Sequence, residues 1–262
     1  MSVEDDEEKA LVKGAREGFN YFGVTEDARK EPLFKQFALS PDDYQIDQLS
    51  MISEIKKNIG EYYLFTVTDY GGGVANTSVL FCAKNMRTKQ LLIYDELDLK
   101  PQDSGVSNTV KEIFYKQTIH GLKPAIHLLD SQAKAIAVNF SEDSKETYLS
   151  VYSDAGESYQ MSFGIINRKA GGKSKAKREE IVDNQMRITA HLSHPISKTG
   201  TGTSIYVAPE CKSLIDGLMK SKVTRGESEN KTNRQPDKYH MIKEDSVDAF
   251  YYAVCEVFST VD

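Results

Sequence analysis

The chain has no tryptophan, and its 262 residues include only three cysteines, five histidines and seven prolines. The cysteines, Cys82, Cys211 and Cys255, are odd in number, far apart and without a Cys-x-x-Cys pair. This excludes a disulfide-framed miniprotein and a cysteine-rich zinc site. Each lies in an apolar stretch, so all three are expected to be reduced and buried, as in a cytoplasmic protein. No apolar run approaches the roughly 20 residues that a membrane span needs. Residues 1–9 are acidic and lack an apolar core, so no secretory leader is expected.

Hydrophobic residues make up 39%, charged residues 27%, and mean hydropathy is −0.48. These values suit a globular chain with an ordinary core, and the length allows one large domain or two small ones. No low-complexity linker divides it, so a single α+β domain over 1–262 is expected, with an acidic N-terminal segment. The net charge of −6 is unevenly spread. Residues 4–8 are all acidic. Residues 168–178 hold six bases and no acid, and 220–238 hold six bases against three acids. These two segments offer little apolar surface to offset ordering entropy, so they are expected as mobile basic loops. Their candidate binding residues are Arg168, Lys169, Lys173, Lys175, Lys177, Arg178, Lys220, Lys222 and Arg225.

Periodicity and punctuation divide the chain into elements. Residues 4–22 and 41–59 read as helices, the second capped by Ser40 with Pro41 at its first position and Leu49, Ile52, Ile55 and Ile59 as its apolar stripe. Residues 62–68, 77–83 and 90–94 read as a β-meander, with Gly71-Gly72-Gly73 at its first turn. Thr109 to Glu112 matches a capping box and predicts a helix over 108–121, ended by Gly121. Strands are expected at 133–140, 147–152 and 159–166, with a hairpin turn at 154–157, and again at 186–192 and 203–207. Helices follow from Pro209 and over 247–258. The order predicts an α+β fold: two mainly antiparallel β regions around a central helix, flanked by N- and C-terminal helices.

No motif names a chemistry. His191 and His194 are the sharpest pair, but no HExxH or later cysteine pair accompanies them. Neither His120 nor His127 supplies a matching second half. Gly171-Gly172-Lys173-Ser174 lacks the first glycine of a phosphate-binding loop, and Gly200–Thr203 lacks the following helix of a dinucleotide site. Asp95, Glu96 and Asp98 cluster at a strand end, where Glu96 and Asp98 share a face suited to a divalent ion or to solvent. The 14 tyrosines, among them Tyr63, Tyr148 and Tyr152, suit strand packing and interfaces.

The first functional expectation is therefore a non-enzymatic interaction protein, without cofactor or metal. It self-associates or binds a larger partner, protein or nucleic acid, through its basic loops and acidic body. The alternative is an enzyme acting on a phosphorylated or nucleotide substrate, with His191 and His194 beside the Gly200–Thr203 loop.

Overall fold

The computed structural model describes residues 45–71, 75–134, 146–166, 205–220, 222–225, 239–242 and 245–258. The α+β class is observed: five helices accompany a six-stranded mixed sheet and a separate two-stranded one among the described residues. The large sheet begins as the expected meander. Strands β1 (Tyr62–Asp69), β2 (Thr77–Asn85) and β3 (Leu91–Leu99) are antiparallel neighbours. β2 is buried along its whole length, as a central strand rich in apolar and β-branched residues should be.

The two turns of the meander have different chemistry. Asn85 Oδ1 accepts hydrogen bonds from the amides of Arg87 and Thr88, both at 2.9 Å, and Lys89 takes a left-handed φ of 62°. After β1, the Gly71 amide donates to Thr77 Oγ1 at 2.9 Å. A Cβ on Gly71 would collide with the carbonyl oxygens of Ala75 and Asn76. Gly71→Ala should therefore cost about 1–3 kcal/mol, the usual range for overpacking, and a thermal melt checks it.

The helices cover both faces of the sheet. Helix α1 (Gln48–Lys57) starts later than expected, because Asp47, not Ser40, caps it by accepting from the Ser50 amide. Met51, Ile52 and Ile55 are buried, whereas Leu49 is 74% exposed and Ile59 lies beyond the helix, so the expected stripe holds only in its middle. Helix α2 (Val106–His120) also starts earlier than the Thr109 box predicts. Thr109 is buried inside it and its hydroxyl donates to the Gly105 carbonyl. Gly121 closes α2 in the left-handed region, φ 59°, as expected.

The chain then crosses back to the other side of β1. Strand β4 (Ile126–Leu129) pairs parallel to β1, and β5 (Phe163–Ile165) parallel to β4. Between them, 147–152 is not a strand. Thr147 and Ser150 form a reciprocal capping box that starts helix α3 (Tyr148–Glu157), and the expected hairpin turn 154–157 is the last turn of this helix. Gly156 lets α3 lie close on the Phe163 ring. Where a strand over 133–140 is expected, residues 133 and 134 belong to a short 3₁₀ turn at Ser131–Lys134, and 135–140 lie outside the described residues.

Strand β6 (Ile205–Val207) pairs parallel to β3, giving the order β5-β4-β1-β2-β3-β6. The second β region is thus parallel and continuous with the first. Helix α4 (Lys212–Lys220) follows and packs on β3. Strands β7 (Lys222–Arg225) and β8 (Tyr239–Ile242) form the small antiparallel sheet, so the second basic segment is a strand at its start. Helix α5 (Asp245–Phe258) crosses β1 and β2 and is largely buried, as its apolar surface predicts. The residues read as helix 4–22 and strand 186–192 lie outside the described residues, as does the segment 168–178.

Alternation along β3 separates the layers. Asp95 meets α2, while its neighbour Glu96 meets α4. So α2 and α3, which pack on each other, cover one face, and α4 and α5 cover the other.

Candidate functional site

The sheet changes direction at β1. The chain leaves β1 toward β2 and β3, then returns by α2 to β4 on the opposite side. In α/β sheets, ligands bind outside the carboxyl ends of the strands at such a switch point. At this point the parallel register pairs Thr68 with Leu129, so the next residues, Asp69 and Asp130, leave the sheet side by side. Asp69 is half-buried and Asp130 is 6% exposed. The Asp130 carboxylate accepts from Ser131 Oγ at 3.1 Å, and its carbonyl accepts from the Ala133 amide at 2.9 Å. Below them, Thr66 Oγ1 and His127 Nδ1 meet at 2.8 Å and join the two strands. Burial, then the Lys123 charge, lowers the His127 pKa to about 4, so this imidazole is neutral at pH 7.

Register also gives the face. Asp69 stands opposite Ser78, and Ser78 opposite Asp98. Ser213 Oγ of α4 donates to Asp98, and Ser246 Oγ of α5 donates to the Ser213 carbonyl. The N-terminus of α5, with the half-buried Asp245 and Asp248, therefore lies at the same end and on the same face as Asp69. Glu256 marks the opposite end, where burial and then this carboxylate raise the Tyr63 phenol. Among the described residues, no group of three or more His, Cys, Asp or Glu side chains is close enough to hold a metal ion by itself.

Beyond Asp69 the next residue is Tyr70, whose ring lies tilted against Tyr148 at 4.6 Å between centroids. Burial, then Asp130, Tyr148 and Asp69, push its pKa up to about 12, so it stays protonated beside the carboxylates.

The acidic cluster singled out in the sequence has another duty. Glu96 and Asp98 do share a face, but they serve helix α4. Glu96 accepts from the Ser213 and Leu214 amides at 2.6 and 2.9 Å, and Asp98 accepts from Ser213 Oγ at 3.1 Å. Burial raises the Glu96 carboxyl against the pull of these amides. A raised carboxyl favours the folded state when protonated, so that stabilisation is lost as pH rises through its folded pKa. Glu96→Ala should remove the cap and cost about 1–2 kcal/mol at neutral pH, measured by denaturant unfolding. Asp95 points the other way, into α2.

The three cysteines are buried, as expected, and none is in a disulfide. Lys220 ends α4, Lys222 and Arg225 end β7, and Arg168, Lys169, Lys173, Lys175, Lys177 and Arg178 lie outside the described residues. So do His191, His194 and the Gly200–Thr203 loop. Sequence reading missed Asp69 and Asp130. The available signal was an acid directly after each of two apolar runs, 62–68 and the short Ile126–Leu129, and it becomes specific only once the strands are paired.

These features define a class first: a mixed α+β sheet with two acids at adjacent parallel strand ends. The same fold occurs in solved structures of large terminases. The large terminase of the thermophilic bacteriophage D6E matches 86% of this chain with TM-score 0.51 and 11% identity. The P22 large terminase nuclease domain matches 82% of it, also with TM-score 0.51 and 11% identity. The chain spans 45% of the D6E protein and 88% of the P22 domain. No family model and no curated protein matches it.

The expectation of a non-enzymatic interaction protein is corrected by this likeness, since the neighbours are large terminases and a nuclease domain. The enzyme alternative fits better. No described helix is long and apolar enough to cross a membrane.

Proposed function

We propose that this chain is a divalent-cation-dependent nuclease domain that hydrolyses phosphodiester bonds at the Asp69–Asp130 pair. The observation that carries the reading is the parallel register that sets Asp69 and Asp130 abreast at the β1/β4 switch point. Its coverage of the P22 nuclease domain, against less than half of the D6E protein, supports the nuclease part as the relevant comparison.

The donor set fits a hard cation. Asp69 and Asp130 stand at adjacent strand ends, while the imidazole of His127, on the same strand as Asp130, is engaged by Thr66. Mg²⁺ characteristically takes one or two carboxylates and completes its shell with water and substrate phosphates. Asp69 and Asp130 would hold the ion, which when bound supplies Lewis-acid activation of water and neutralises phosphate charge. Asp130 is oriented by Ser131, and β1 is tied to β4 by the Thr66–His127 bond. The protonated Tyr70 adds no negative charge to a place that must admit phosphate. The bases of 168–178 supply a cationic segment suited to backbone contacts, with Lys220, Lys222 and Arg225 as further candidates.

The test is cleavage of single- and double-stranded DNA and RNA by the purified chain with Mg²⁺ or Mn²⁺. Cleavage that stops on chelation is expected. Absence of cleavage on every substrate with both metals would overturn the reading.

A further inference from the structure

We propose that Ser78 is a positioning residue for the cation site: its buried hydroxyl donates to the Asp69 carboxylate and fixes its direction when a divalent ion is held. This rests on the nuclease reading and adds the residue that orients one of its two acids.

The placement follows from register. Ser78 of β2 stands directly opposite Asp69 of β1, so both side chains leave the same face of the sheet. Residues so paired have Cβ atoms about 4.5–5.5 Å apart, within reach of a hydroxyl–carboxylate hydrogen bond. On its other side Ser78 stands opposite Asp98. The Asp98 oxygens are directed elsewhere: one accepts from Ser213 Oγ at 3.1 Å and Lys100 Nζ at 3.0 Å, the other from Asn76 Nδ2 at 3.4 Å. Asp69 is thus the acceptor that Ser78 faces.

Ser78 is 1% exposed, and among the described residues its Oγ has no hydrogen-bond partner. A buried hydroxyl left unpaired costs stability, so its retention needs a reason. Neighbouring buried hydroxyls show the ordinary solution. Thr66 bonds with His127, Thr77 accepts from the Gly71 amide, and Thr109 donates to the Gly105 carbonyl. Three other described side chains have a buried polar atom without a partner: Thr68, Tyr94 and Gln117. Thr68 precedes Asp69 and so points to the opposite face. Tyr94 meets His120 of α2, and Gln117 belongs to α2. Of these four, only Ser78 shares the face of Asp69. Its role there parallels that of Ser131, whose Oγ donates to Asp130 at 3.1 Å. Carboxylates that hold metal ions are themselves hydrogen-bonded, and such bonds orient them.

The experiment sets stability without metal against Mn²⁺ affinity. Ser78→Ala removes a hydroxyl that has no partner in the metal-free protein, so its Tm without metal should hold or rise. Its Mn²⁺ affinity by isothermal titration should fall about 10- to 100-fold, the scale for losing a group that orients a ligand. The Mn²⁺ concentration for half-maximal cleavage should rise in parallel. Ser78→Cys keeps the shape with a weak donor and should behave as Ser78→Ala does. Ser78→Thr keeps the hydroxyl on a residue suited to a strand and should retain wild-type affinity. Unchanged Mn²⁺ affinity in the alanine and cysteine variants overturns the positioning role and leaves the nuclease reading intact. So does a Tm without metal that falls in both, which would make Ser78 a packing residue. Wild type that binds Mn²⁺ but cuts no nucleic acid overturns the nuclease reading, while the affinities still decide the role of Ser78. Wild type that neither binds Mn²⁺ nor cuts overturns both.

Discussion

Asp130→Asn and Asp69→Asn each abolish cation-dependent cleavage, by about 10³-fold or more, while the protein stays folded. A carboxylate-held cation contributes several kcal/mol to phosphoryl-transfer transition states, and each 1.36 kcal/mol is tenfold in rate. Asparagine keeps the size of the side chain and an oxygen for Ser131 Oγ, which Asp130 now accepts at 3.1 Å. It removes the negative charge that draws in a divalent ion. Stability should hold or rise slightly, because one of two adjacent like charges is gone. The double variant should be no worse than either single one, since the two carboxylates act as a unit. Isothermal titration with Mn²⁺ should show weaker binding in parallel. Either single variant retaining wild-type cleavage would remove the acid pair from the chemistry.

The parts of this molecule that were legible in the sequence are those whose signal is local. The β1–β3 meander shows in its runs of β-branched and aromatic residues and in the glycines at 71–73. The α2 stop shows in Gly121, and α5 in its apolar surface. Where tertiary packing decided, local reading failed. Tyr148 to Tyr152 have the composition of a strand, yet the Thr147–Ser150 box and packing on α2 and Phe163 make them helical. Ile126–Leu129 is too short to show a period, and it is a strand because β1 lies beside it. The acid pair was hidden for the same reason. Asp69 and Asp130 are 61 residues apart, and only the crossover through α2 brings them abreast. Asp95, Glu96 and Asp98 were conspicuous because they are close in sequence, and alternation sends them to different structural duties.

Asp95→Ala should give the largest loss of stability in the fold, about 3 kcal/mol at neutral pH, or about 6–12 °C in Tm at this chain length. The Asp95 side chain is 3% exposed, and His120 Nε2 and Lys116 Nζ reach its Oδ2 at 2.6 and 2.8 Å. Lys116 also reaches Oδ1, and the Glu96 amide donates to it at 2.9 Å. These contacts tie α2 to β3. Removing the carboxylate leaves two largely covered basic side chains facing a gap. Burial by itself raises the Asp95 carboxyl, but the bonds from His120 and Lys116 outweigh it and hold the pKa below the ordinary value of 3.8. A depressed carboxylate stabilises the fold above its unfolded pKa, and that contribution is lost as pH falls through the folded pKa. The stability gap between wild type and Asp95→Ala should thus be flat on the neutral side and close below pH 3.8. Asp95 stands two strands from Asp69, roughly 10 Å across the sheet, so cleavage per folded molecule should persist at temperatures where the variant is folded. Equal melting of wild type and variant at neutral pH would show that α2 is held by apolar contacts alone.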